Sequence, residues 1–182
     1  MSRTWGRWIS IAGIILLTAN GGASAAPDAG DDLSSFVATY HCAVVELLAR
    51  IHAHPRPAHD PYLILENAST HGYVQCLYDR YYRQMICEAE SGWWDKPDER
   101  PRFTAEQKQG LARLGFSMDG SHGNFQRRYR FDLSPSYGDV ADMMLSALYV
   151  GYGTRLGSGV VADAPYAIRR GRLSRTRCNP TS

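Results

Sequence analysis

The chain of 182 residues contains no C-x-x-C pair, no G-x-S-x-G elbow, no internal repeat and no apolar run of membrane length. Each absence removes a class of function. Without C-x-x-C, whose short spacing lowers one thiol's pKa at a helix start, a dithiol redox centre loses its usual signature. Without the elbow, no strained strand-to-helix turn exposes a nucleophilic serine, and Ser121-His122 in a glycine turn reads as an ordinary loop. The glycines of GYGTRLG (151–157) have the wrong spacing for a dinucleotide fingerprint and follow a helical pattern instead of a strand. No convergent acid, base and nucleophile set can be named. The expectation is therefore a non-enzymatic protein with no catalytic residues and no cofactor.

The longest apolar run, Trp8 to Thr18, falls short of the roughly 20 residues that a membrane span needs. Arg3 and Arg7 precede it and Ala23-Ser24-Ala25 follow it. That is the layout of a secretory signal peptide, with cleavage after Ala25 or Ala26. No cysteine follows the run, which argues against a lipid-modified N-terminus. Residues 1–25 are thus expected as a leader, 26–32 as a linker, 33–155 as one α+β domain and 156–182 as a basic tail. The location expected is periplasmic or secreted. Cleavage leaves 157 residues with 18 basic and 18 acidic side chains. Arg169, Arg170, Arg172, Arg175 and Arg177 crowd the last 14 residues, where there is no acid. A neutral body with a basic tail does not fit a nucleic-acid binder. The arginines suit either an anionic envelope surface or simple solvation.

Periodicity organises the rest. Leu33, Val37, Tyr40, Val44, Leu47 and Ile51, with Leu48 beside them, predict a first helix, and Asp31, Asp32 and Ser34 suit its start. YLILENA (62–68) reads as a strand, and 73–78 and 83–90 as a hairpin. Thr104-Ala105-Glu106-Gln107 fits a capping box for a short helix buried through Leu111 and Leu114, with Gly115 at its exit. Phe116 and Met118 alternate, and NFQRRYRFD (124–132) is a strand whose apolar face Arg127 interrupts. A last helix runs from about Pro135 to Tyr152 on Tyr137, Val140, Met144, Ala147 and Leu148. A short strand at Gly159–Ala162 is an option beyond it. The order α-β-β-β-α-β-β-α predicts an α+β domain, a mostly antiparallel sheet with helices beside it.

YVQ (73–75), CEAES (87–91), FTAEQKQGLARLGF (103–116), NFQRRY (124–129) and a closing helix ending LYVGYG (148–153) occur in this order. Over residues 33–155 the chain resembles the type III secretion chaperone-like fold, in the bacterial branch called TY-Chap (YbjN-like). The resemblance implies a twisted antiparallel sheet with helices on one side, pairing as a homodimer, and protein binding without catalytic residues. Two features depart from that group. It is largely cytoplasmic, whereas this chain carries a leader, and its fold does not require four cysteines.

All four cysteines follow the leader, and an even count in an exported chain favours disulfides. Three pairings are open. Alternation puts Cys76 opposite or near Cys87, so a hairpin staple is the simplest reading. Cys42 lies about 160° from Val44 on the helical wheel, away from the core stripe, and would then remain for Cys178. The densest ligand cluster is His52, His54 and His59 with Asp60, in a loop that Pro55, Pro57 and Pro61 stiffen. Imidazoles suit zinc or copper, but solvated histidines are the plainer reading, and no metal site is assigned. A small-ligand or metal-binding envelope protein using this loop is the alternative function. Glu88 and Glu90 read as a solvated strand face. Trp93 and Trp94, just after a strand, are expected to anchor a protein or peptide partner, since tryptophans dominate binding hot spots. The competing reading lets one of them cap the core.

Overall fold

The computed structural model describes residues 32–53, 61–79, 83–98, 100–121, 123–130, 136–165 and 167–175. The elements are α1 (Leu33–Ala53), β1 (Tyr62–Asn67), β2 (Tyr73–Asp79), β3 (Gln84–Ala89), α2 (Ala105–Arg113), β4 (Phe125–Arg130), α3 (Tyr137–Tyr152), β5 (Val160–Ala164) and β6 (Ile168–Arg172). The strands form one sheet in the order β4-β3-β2-β1-β5-β6. Every pairing is antiparallel. The fold is α+β, as the sequence pattern predicts.

Strict alternation decides the two faces of the sheet. Leu63, Leu65 and Asn67 of β1, Val74, Cys76 and Tyr78 of β2, and Met85, Cys87 and Ala89 of β3 are all buried. Strand registers place them on one face. The helices cover that face: α3 packs on β1 and β2 and is flanked by α1 and α2. Between those neighbours α3 is buried well beyond the expected stripe, adding Ala141, Met143, Leu145, Gly151 and Tyr152 to it. A helix enclosed on several sides must be apolar on several sides.

The capping box at Thr104 is present, with Gln107 N donating to Thr104 Oγ1 at 3.2 Å and Thr104 N donating to Gln107 Oε1 at 2.8 Å. A second box starts α3, formed by Ser136 and Asp139. Gly115 takes a left-handed φ of +83° after α2. Arg127, which interrupts the apolar face of β4, donates to the Leu114 carbonyl and lies over the Tyr129 ring at 4.4 Å. Both interactions let a cation sit against the core edge.

Three expectations change. On α1 the core stripe contains Phe36, which is fully buried, whereas Leu33 is 36% exposed. Leu33/Val37 and Phe36/Tyr40 are neighbouring rows one residue apart. Tyr149 of α3 decides between them by packing on Phe36 at 5.6 Å. Between α2 and β4 the alternation of Phe116 and Met118 yields a single bridge, Ser117 to Gln126. The largest change lies beyond residue 155. The optional short strand at Gly159–Ala162 is β5, which pairs with β1 inside the sheet, and Ile168–Arg172, expected as part of a tail, are β6. Leu173 is buried as well. The domain therefore extends past 155, and Arg169, Arg170 and Arg172 belong to a strand and its end. Arg177 lies outside the described residues.

Cys76 and Cys87 are register partners and form a disulfide, with Cα atoms 4.0 Å apart. Both are fully buried. The bond thus lies under the helices, in the core, and is compatible with an oxidising compartment. Cys42 is also disulfide-bonded. Cys178 lies outside the described residues. No described helix is long and apolar enough to cross a membrane.

Closing a loop of 11 residues should stabilise by roughly 2–3 kcal/mol in the chain-entropy model. The double variant Cys76→Ala/Cys87→Ala should lose at least that much in urea unfolding. Peptide mapping under non-reducing conditions should recover Cys76 joined to Cys87, with neither alkylated in native protein.

Candidate functional site

Among the described residues, no helix covers the other face of the sheet. Its rungs follow from register. In one, Gln75, Glu88 and Gln126 stand side by side, and the Glu88 carboxylate accepts from Gln75 Nε2 at 2.6 Å and Gln126 Nε2 at 2.9 Å. Glu88 is therefore held in a cross-strand ladder, not loosely solvated. The next rung is apolar at its centre: Tyr62, Leu77 and Ile86 run across to Arg128. Glu66 of β1 accepts from Arg170 of β6 at 2.5 Å.

At one end of the sheet the β1–β2 turn, the exit of β3, the start of α2 and the end of α3 converge on a cleft of about 370 Å³. Asn67, almost fully buried, builds the turn. Its Oδ1 accepts from Ser69 N at 2.9 Å and Thr70 N at 3.3 Å, and its Nδ2 donates to the Tyr152 carbonyl at 3.1 Å. The turn brings Gly72 beneath the Tyr152 ring. A Cβ there would lie 2.3 Å from Tyr152 Cδ1, so only glycine fits. Tyr152 in turn donates its hydroxyl to the Glu90 carbonyl at 2.6 Å. Phe103 completes the aromatic wall, edge-on to Tyr152 and to Phe125, each at 5.7 Å between ring centres.

Glu90 lines this cleft beside Gln107 and Arg102. It is half-buried, and loss of water together with the negative charge of Asp95 pushes its carboxyl up to about 7. Among the described residues no lysine or arginine forms an ion pair with it. Burial likewise raises the Tyr152 hydroxyl well above 10, and raises Tyr73 despite the bond from Asn124 Nδ2. Glu90 carried no signal in the sequence, because a glutamate ending an alternating strand reads as solvated, and its partial burial comes from residues elsewhere in the chain.

The chain between Glu90 and Pro101 carries both tryptophans. Trp93 is 38% exposed and Trp94 is 75% exposed, so neither caps the core. The base of this loop is fixed. Ser91 N donates to Asn124 Oδ1 at 3.2 Å, Ser91 Oγ donates to the Gly123 carbonyl at 2.8 Å, and Trp93 N donates to Ser91 Oγ at 3.2 Å. The Trp94 ring is thereby held out in water on an anchored stem next to the cleft, with Trp93 partly exposed beside it.

The histidines separate. His52 ends α1 with its ring 4.5 Å from Tyr78 and 5.6 Å from Tyr137, a packing position. His54 and His59 lie outside the described residues, as does Asp60. Among the described residues no group of three His, Cys, Asp or Glu side chains could hold a metal. Sequence reasoning also missed His41, whose Nδ1 meets Asp142 Oδ1 at 2.6 Å and ties α1 to α3. Ser136, which borders the same space beside Gly138, is already engaged as the cap of α3. Compared with family models, curated proteins and solved structures, the chain matches none of them.

The raised Glu90 carboxyl has a signed consequence. Its folded pKa of about 7 exceeds the ordinary glutamate value of 4.5, so its contribution to stability is full below about 4.5 and is lost as pH rises through 7. The full shift corresponds to about 3 kcal/mol, which partial exposure discounts to about 1–2 kcal/mol. Unfolding followed from pH 4.5 to 8 should show wild type losing stability relative to Glu90→Gln, with the gap widest at pH 8.

Proposed function

We propose that the chain is an exported, non-enzymatic binding module with a secretion-chaperone-like fold, held by disulfides, that docks a protein or peptide through the loop bearing Trp93 and Trp94. The observation that carries this reading is the exposure of both indoles on an anchored loop. Leaving the Trp94 ring in water forgoes roughly 1.5–3 kcal/mol of burial, much of which a partner recovers, and Trp93 adds the smaller part of its surface that is exposed. Tryptophan is the residue most enriched at the energetic centres of interfaces.

Export is supported by the leader pattern at residues 1–25 and by the buried Cys76–Cys87 bond, which a reducing cytosol would oppose. The chaperone-like assignment is supported by the ordered segments from YVQ to LYVGYG and by an antiparallel sheet with helices over one face. The family analogy adds a homodimer, for which the uncovered sheet face with Tyr62, Leu77 and Ile86 offers a surface. An anionic envelope surface remains the partner suited to the C-terminal arginines.

Trp93→Ala/Trp94→Ala should keep the wild-type melting temperature within about 2 °C and lose most capture of envelope proteins after crosslinking in native envelopes. Retained capture of the same proteins removes these residues from the interface. The metal-binding alternative has less support, because His52 packs against two tyrosine rings. Calorimetry with zinc and copper at micromolar metal should give no binding heat; a saturable heat that is lost in His54→Ala/His59→Ala would reverse the choice.

A further inference from the structure

The cleft beside the tryptophan loop contains an unbalanced charge. Glu90 is half-buried and meets the negative charge of Asp95 from the loop, with which it also shares a side-chain hydrogen bond, and more weakly that of Glu66 from β1, which Arg170 pairs. The titratable groups facing it from the packed elements are Tyr73 of β2 and Tyr152 of α3, and Glu88 shares its strand. Arg102 lines the cleft but is exposed, where water screens its charge. Partial removal of a carboxylate from water is costly unless a cation or donors replace the lost hydration. The other wall is aromatic, formed by Phe103 and Tyr152 in edge-on contact. A carboxylate beside aromatic rings is the chemistry that receives an ammonium or guanidinium, by charge attraction and by the negative faces of the rings. A volume of about 370 Å³ lies at the lower end of the range for ligand pockets, room for one long side chain and too little for a folded element.

We propose that this cleft receives a single lysine or arginine side chain, its cationic head against Glu90 and its stem along Phe103 and Tyr152. That the side chain belongs to a partner held by Trp93 and Trp94 rests on the binding-module reading; the chemistry of the cleft does not. Recognition would then combine apolar anchoring on the loop with one charged contact in a half-dry pocket, the kind that gives register and specificity.

The test uses the disulfide-intact protein titrated with Nα-acetyl-lysine methylamide, Nα-acetyl-arginine methylamide and the neutral Nα-acetyl-norleucine methylamide, followed by calorimetry and by NMR of the aromatic rings. At pH 8 at least one cationic probe should bind tenfold or more tightly than the norleucine probe and shift the Phe103 and Tyr152 signals. The stronger of the two identifies the side chain. Lowering the pH to 5.5 should weaken that binding several-fold, because Glu90 takes up a proton. Glu90→Gln should bind all three probes alike. Equal binding of the neutral probe, or a cation preference that survives in Glu90→Gln, overturns the proposal. So does failure of both cationic probes, and in that case loss of partner capture in the tryptophan variant still upholds the binding-module reading separately.

Discussion

A six-stranded antiparallel sheet with one apolar face cannot stand alone in water, and covering that face is the constraint on which the rest of this structure depends. Helix α3 meets the constraint. It lies on the central strands β1 and β2, with α1 and α2 on its flanks. Its burial on several sides is the reason its middle is built of small and flexible residues, Ala141, Met143, Met144 and Ala147. Methionine fills irregular gaps, and alanine lets backbones approach. Once α3 is placed, Tyr152 at its end fixes the cleft, because one residue reaches the β1–β2 turn through its carbonyl and the end of β3 through its hydroxyl.

Covering the sheet also decides what the sulfur chemistry can be. The Cys76–Cys87 bond lies on the face that the helices bury, so no solvent-borne thiol meets it in the folded protein. A bond in that position staples the hairpin beneath the core and does not serve as a redox handle. The opposite face keeps its polar ladder of Gln75, Glu88 and Gln126 beside an apolar rung. One face therefore carries stability, while the other face and the sheet end carry the exposed chemistry.

Much of the fold was legible because its signals are local. Alternation in Val74, Cys76 and Tyr78 marks a half-buried strand, and Thr104 with Gln107 marks a helix start, whatever lies across the molecule. The misses are non-local. The choice of Phe36 over Leu33 needed Tyr149, more than a hundred residues away. The optional strand at Gly159–Ala162 exists as β5, but its pairing with β1 and the strand β6 beyond it, in an arginine-rich segment, had no local signal. Glu88 reads as solvated until Gln75 and Gln126 arrive from neighbouring strands.

The sequence by itself determined the α+β class, the helix starts, and a hairpin that brings Cys76 opposite or near Cys87. These follow from periodicity and from capping chemistry, which act over a few residues. Only the tertiary structure decided how far the sheet extends, which glutamate is held in a ladder and which is half-buried, and that Glu90, Phe103 and Tyr152 border one cleft. Burial and charge balance are sums over neighbours from distant parts of the chain, and no local pattern contains them.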